Sequence, residues 1–288
     1  MCKPILIMLV LLLTACAGHG SSSVPLKYSG PVTAQALTDR YNHETSLCRP
    51  FDPGTAFSCS GIVIRGTSHS TQYHSWNPNP ASTGMSFAYL RKDAKFTSLY
   101  IYKNGFIFYS KTDTPAGKIN IPILCFFPRD GATNIREDEG CGQSPGTPTS
   151  RECQAQGITT AEQWVEHYRT YGSYGDMCGF NVRDTLGDAA VNAFNQGLRA
   201  QRLIFDESFK DYNELRLSKW GQDLGKVLPI QAFFYLSDLG KAAAQYDQRD
   251  FLNETGISLP IIYLRLPVEP SDEALFRFIP EDQGIPLG

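Results

Sequence analysis

The sequence has no run of clustered Lys and Arg, no Cys-x-x-Cys or His-x-x-x-His spacing, no glycine-rich dinucleotide fingerprint and no internal repeat. Each absence removes a class of function. Lys and Arg number 26 against 29 Asp and Glu, for a net charge of −3, so the chain lacks the positive surface that neutralises phosphates, and nucleic acid is excluded as main partner. Without those Cys and His spacings no zinc site is expected, and the acidic stretch Arg136-Glu137-Asp138-Glu139 matches no EF-hand register. Without a Gly-x-Gly-x-x-Gly turn or a βαβ rhythm, a doubly wound dinucleotide-binding fold is not expected. No metal and no resident cofactor are anticipated.

What is present is apolar and aromatic. In 288 residues, 42% are hydrophobic and only 19% charged, with 17 Phe and 14 Tyr, which gives material for a β-rich core and for surfaces on which a ligand could stack.

Residues 1–16 read as a processing segment. Lys3 precedes an apolar run from Ile5 to Leu13, too short to span a bilayer and the length of a secretory h-region. Leu13-Thr14-Ala15-Cys16 resembles a bacterial lipobox, with Cys16 the lipidation site of an outer-membrane-anchored protein. Ala15-Cys16-Ala17 also fits ordinary signal cleavage, which would give a freely secreted one. Residues 17–30 read as a tether and 31–288 as one catalytic α+β domain. In an oxidising compartment Cys48, Cys59, Cys125, Cys141, Cys153 and Cys178 predict three disulfides, and Cys48 with Cys59 and Cys141 with Cys153 are plausible local pairs, although spacing leaves the connectivity open.

Periodicity predicts a helix over 32–44 carrying Val32, Ala36, Leu37 and Tyr41, a strand over 61–67, and a strand end or turn at 84–88 followed by a short helix over 89–96. A hairpin of 99–102 with 105–109 turns at Lys103-Asn104, and a strand runs over 119–127. A long polar loop occupies 128–153. Helices follow over 159–168, with a capping box within Thr159-Thr160-Ala161-Glu162-Gln163, over 184–204, and over 241–253 ahead of Gly256. Strands are expected at 212–217, 227–236, 261–266 and 275–279. The fold class is α+β, mixed and largely antiparallel, with flanking helices and disulfide-braced loops.

Three pieces carry polar groups where packing does not require them: Arg65-Gly66-Thr67 at a strand end, Gly84-Met85-Ser86-Phe87-Ala88, and Tyr212-Asn213-Glu214-Leu215. In type and order they resemble the three motifs of the ADP-ribosyltransferase superfamily: a first strand with Arg-Gly or His-Gly-Thr, a second motif supplying Ser or Tyr, and a later strand presenting the catalytic Glu. Over a longer span the chain is similar to the halovibrins, exported bacterial proteins described as ADP-ribosyltransferases or NAD glycohydrolases. The resemblance implies a core of ADP-ribosyltransferase type and NAD as substrate, with Glu214, Arg65 and Ser86 catalytic. Gly66, Thr67, Phe96 and Tyr212 would bind substrate, Phe96 by stacking on nicotinamide. Superfamily members that modify a protein acceptor place Glu or Gln two residues before the catalytic Glu. Tyr212 stands there, which favours water as acceptor over a protein of a target cell. Two other readings stay open: a non-enzymatic surface lipoprotein, and a hydrolase using His69 or His74.

Overall fold

The computed structural model describes residues 26–27, 29–43, 60–73, 85–108, 123–131, 140–143, 150–171, 177–183, 186–208, 210–217 and 230–285. Cys16, Cys48, Cys59, His74 and Gly84 lie outside the described residues.

The strands are β1 (Leu26–Lys27), β2 (Ile62–Thr67), β3 (Met85–Leu90), β4 (Asn104–Phe108), β5 (Ile123–Phe127), β6 (Phe180–Asn181), β7 (Glu214–Leu217), β8 (Ile230–Tyr235), β9 (Ile257–Ser258), β10 (Ile261–Arg265) and β11 (Leu275–Phe278). The helices are α1 (Gly30–Asn42), α2 (Ala161–Tyr171), α3 (Asp188–Leu203), the single turn α4 (Phe205–Ser208) and α5 (Asp238–Thr255). Nine strands form one sheet in the order β11-β10-β8-β4-β2-β3-β7-β5-β6. Its pairs are antiparallel except β8 with β10.

Helices cover both faces. Ala34, Leu37 and Tyr41 of α1 pack with Ile62, Ile64, Ala88, Leu90, Ile107 and Phe234. The alternate strand residues, Phe87, Tyr89, Phe106 and Leu215 among them, pack with Trp164 of α2, Phe194 of α3 and Phe251 of α5. A sheet buried on both faces reads as nearly continuous apolar sequence, which is why β4 and β5 are buried at every position.

Chain signals set several of the helix ends. Thr160 accepts the Gln163 N–H at 3.3 Å while the Gln163 side chain accepts from the Thr160 N–H at 3.1 Å, the expected reciprocal cap of α2. Gly256, at φ 72°, ends α5 with its N–H on the Leu252 carbonyl. Gly197 inside α3 has a packing reason, since a Cβ there would lie 2.5 Å from Phe126.

Four local expectations are corrected. Residues 89–90 continue β3, and Arg91 and Ala94 then close a narrow bridge instead of a helix. The hairpin of 99–102 with 105–109 does not form: β4 lies between β2 and β8, and Asn104 pairs with Thr67 and Tyr235. Val32 is exposed, and α1 buries Thr33 and Ala34 instead. Within the expected tether, Leu26 and Lys27 form β1, which pairs with Ile257 and Ser258. No helix among the described residues is long and apolar enough to cross a membrane.

Candidate active site

The three polar pieces occupy β2, β3 and β7, which are neighbours in the sheet. The β2–β3 ladder runs from Ile62 opposite Leu90 to Ile64 opposite Ala88. Beyond it Nη1 of Arg65 donates to the Ser86 carbonyl at 2.6 Å, so the guanidinium ties β3 to β2 past the last of those pairs. On the other side β3 and β7 pair Ser86 with Arg216 and Phe87 with Leu215, and the Ser86 hydroxyl donates to Oε1 of Glu214. Arg65, Ser86 and Glu214 are therefore one hydrogen-bonded chain through Ser86. The two ends do not share a face. Arg65 lies opposite Phe106 and over the ring of Phe87, 5.8 Å from its centroid, on the side of the α2, α3 and α5 core. Strand alternation puts Ser86, with Ala88 and Leu90, on the other side.

Glu214 is the first residue of β7 and only 1% exposed. Burial of a carboxylate requires donors, and Oε2 accepts the Gly131 N–H at 3.1 Å while Oε1 takes Ser86. Gly131 sits close enough to do this because it has no side chain: a Cβ would lie 2.8 Å from the Phe127 ring and 3.2 Å from Oε2. The glycine is held in turn by Arg151, itself buried, whose Nη2 reaches the Gly131 carbonyl at 2.7 Å. Within the predicted loop, residues 128–131 and 150–151 thus bracket Glu214, while Cys125–Cys141 ties residue 141 to the sheet and Cys153–Cys178 ties residue 153 to residue 178. The Cys141–Cys153 pairing is corrected by these two bridges. Cys141 joins β5, and Cys153 lies against 177–179, where its N–H meets the Gly179 carbonyl at 2.8 Å.

The rest of the third motif is structural. Asn213 is fully buried, with its side chain accepting from the Tyr89 N–H at 2.7 Å and donating to the Tyr89 carbonyl at 2.7 Å and to Gln201 at 3.0 Å. It stands in for a ladder pair between β3 and the segment entering β7. Tyr212 is pinned by Asp130, whose N–H donates to the Tyr212 carbonyl at 2.7 Å. Burial, and then the Asp130 carboxylate hydrogen-bonded to it, push the Tyr212 phenol far above its ordinary titration range.

Of the other expected substrate contacts, Phe96 is corrected. It is fully buried among the α1-side core residues, edge-on to Tyr212 at 6.3 Å, and presents no ring face to a ligand. Thr67 is buried and accepts from Asn104 at 2.8 Å, while Gly66 leaves room for Tyr102, which a Cβ would meet at 2.6 Å. Tyr102, partly buried beside Gly66 and in the same cluster as Tyr212, has no counterpart in the sequence reading. Nor do Gly131 and Arg151, although the Pro128-Arg129-Asp130-Gly131 turn directly after an apolar strand was the available signal for Gly131. His69 is exposed and meets the adjacent Ser68 hydroxyl at 3.0 Å, and that hydroxyl donates to Gln72 at 3.1 Å.

The arrangement holds a buried carboxylate, with a serine hydroxyl and a backbone N–H on its two oxygens, at the start of an interior strand. No family model matches the sequence, and no curated protein matches it.

Proposed function

We propose that the protein is an exported NAD-consuming enzyme with a core of ADP-ribosyltransferase type, which cleaves the bond between nicotinamide and ribose. The observation that carries this reading is the bond from Ser86 to Glu214, which joins the second and third motifs on neighbouring strands, with Arg65 of the first tied to the same serine. When the C1′–N bond breaks, its electron pair leaves with nicotinamide and the ribose becomes oxocarbenium-like. A carboxylate held at the sugar opposes a charge that exists only in the transition state. Glu214 has that role and Ser86 orients it, while Arg65, on the opposite face of the sheet, holds the Ser86 main chain from β2. Water adds its oxygen to C1′ and releases a proton, giving ADP-ribose. Hydrolysis is preferred to transfer because Tyr212 is committed to Asp130 and no carboxylate or amide stands at that position to engage an acceptor side chain.

A second reading draws on the burial of Glu214. A carboxylate 1% exposed and bonded to Ser86 and Gly131 also serves as a staple between β3 and the 128–131 turn, as in a surface binding protein with no catalysis. Nicotinamide release from NAD by wild type and by folded Glu214→Gln separates the two. The catalytic reading expects release by wild type and its loss in the variant, and the staple reading expects no release from either.

A further inference from the structure

We propose that Arg151 is a positioning residue for Glu214, acting through Gly131. The guanidinium, 1% exposed, donates Nη2 to the Gly131 carbonyl at 2.7 Å, and Nη2 and Nε to the Met177 carbonyl at 2.9 and 3.1 Å. It also lies over the ring of Phe127, 5.2 Å from the centroid. Phe127 is the β5 residue opposite Glu214, and Gly131 supplies the N–H on Oε2. One buried cation therefore touches both residues that border the carboxylate on its β5 side.

The placement is costly unless it is used. A buried guanidinium gives up its hydration and is retained where its donors are taken up by fixed acceptors. Here the acceptors are main-chain carbonyls in a covalent frame. Cys153, two residues after Arg151, is bonded to Cys178, next to Met177, and the Gly179 N–H donates to the Arg151 carbonyl at 2.8 Å. The frame fixes Arg151, Arg151 fixes Gly131, and Gly131 fixes one oxygen of Glu214 while Ser86 holds the other.

The inference rests on the catalytic reading of Glu214, and its test is built to fail separately from that reading. Arg151→Met, Arg151→Lys and Gly131→Ala are compared with wild type, disulfides intact, for kcat and KM of nicotinamide release and for amide hydrogen exchange at residue 131. Arg151→Met lowers kcat about 10- to 100-fold with KM within about twofold, since a misplaced carboxylate loses transition-state stabilisation and not ground-state binding. Arg151→Lys recovers part of that loss. In a Glu214→Gln background Arg151→Met has no further effect, because the two act as one unit. Exchange at residue 131 accelerates at least about tenfold in both Arg151 variants. Should Arg151→Met not fold, Arg151→Lys and Gly131→Ala carry the same comparison. Wild-type kcat in Arg151→Lys and Gly131→Ala, independent losses with Glu214→Gln, or unchanged exchange at residue 131 each overturn the proposal. If wild type releases no nicotinamide, the catalytic reading fails by itself, and the exchange result still decides whether Arg151 holds Gly131 in place.

Discussion

The hydroxyl of Ser86 donates to the carboxylate of Glu214, and the main-chain carbonyl of the same serine accepts from Arg65 at 2.6 Å. A single residue of β3 thus couples the strand on its one side to the strand on its other, by side chain and by backbone respectively. Of the two links, only the one to Glu214 depends on the Ser86 side chain, so substituting Ser86 separates the orientation of Glu214 from the pairing of the strands.

Ser86→Ala removes that link and leaves the Arg65 bond to the main chain in place. The buried Glu214 oxygen then lacks this donor, which costs about 1–3 kcal/mol of stability. Nicotinamide release falls about 10- to 100-fold. Ser86→Thr keeps the hydroxyl and retains most of the activity. Steady-state kinetics with a parallel thermal melt check both statements.

Arg65 acts as a fork, and lysine cannot replace a fork with a point charge. Arg65→Lys therefore loosens the β2 end and lowers stability, while KM for NAD changes little. Arg65 bonds the Ser86 carbonyl and not its hydroxyl, so kcat falls less in Arg65→Lys than in Ser86→Ala. The ratio of kcat and KM effects in the two variants is the measurement.

Asn213 makes its bonds to Tyr89 and Gln201 in full burial. Asn213→Ala strands the Tyr89 N–H and carbonyl and destabilises by about 2–4 kcal/mol. Asn213→Asp fares little better, because the carboxylate meets the Tyr89 carbonyl where the amide donated. Urea unfolding midpoints at constant m-value report both.

The segment closed by Cys153–Cys178 has a sequence separation of 25, for which loop closure gives about 3 kcal/mol of stabilisation. The paired substitution Cys153→Ser with Cys178→Ser removes this and frees the Arg151–Met177 bracket. Activity is lost before global unfolding as denaturant rises, and the two transitions separate when release and circular dichroism are followed together.

Asp282 supplies the pH prediction. Burial works to raise its titration point, but the hydrogen bonds from Lys241 at 2.8 Å and from Tyr235 outweigh it and hold the carboxyl below its ordinary value. A carboxyl depressed in the folded state gives stability that is present above its unfolded pKa and lost as pH falls through the folded one. Asp282→Asn is therefore less stable than wild type at pH 7, and the gap closes below about pH 4. Unfolding free energies measured from pH 7 down to pH 3 follow this.

Sequence patterns and observed elements differ for physical reasons that can be named. Helix caps were legible because they are local: Thr160 with Gln163 and Gly256 each specify a helix end with residues one turn apart. Met85–Leu90 was not recognised as a strand throughout, because the spacing of Leu90 and Ala94 imitates a helix face and both faces of β3 are buried. Lys103-Asn104-Gly105 carries a turn signal, yet Gly105 is a strand residue that lets β4 approach β2, where a Cβ would lie 2.0 Å from the Arg65 carbonyl oxygen. The motifs single out Ser86 and Glu214, and the structure brings those two side chains into hydrogen-bonding contact. Gly131 and Arg151 carry no such motif, since Gly131 meets the carboxylate across 83 positions of the chain and Arg151 acts on it only by way of Gly131.

The most direct measurement is nicotinamide release from NAD by the purified protein and by its Glu214→Gln variant, with folding of both confirmed by circular dichroism. The account predicts release by the wild type and a loss of about 100-fold or more in the variant. Equal release from the two folded proteins, or none from the wild type, would contradict it.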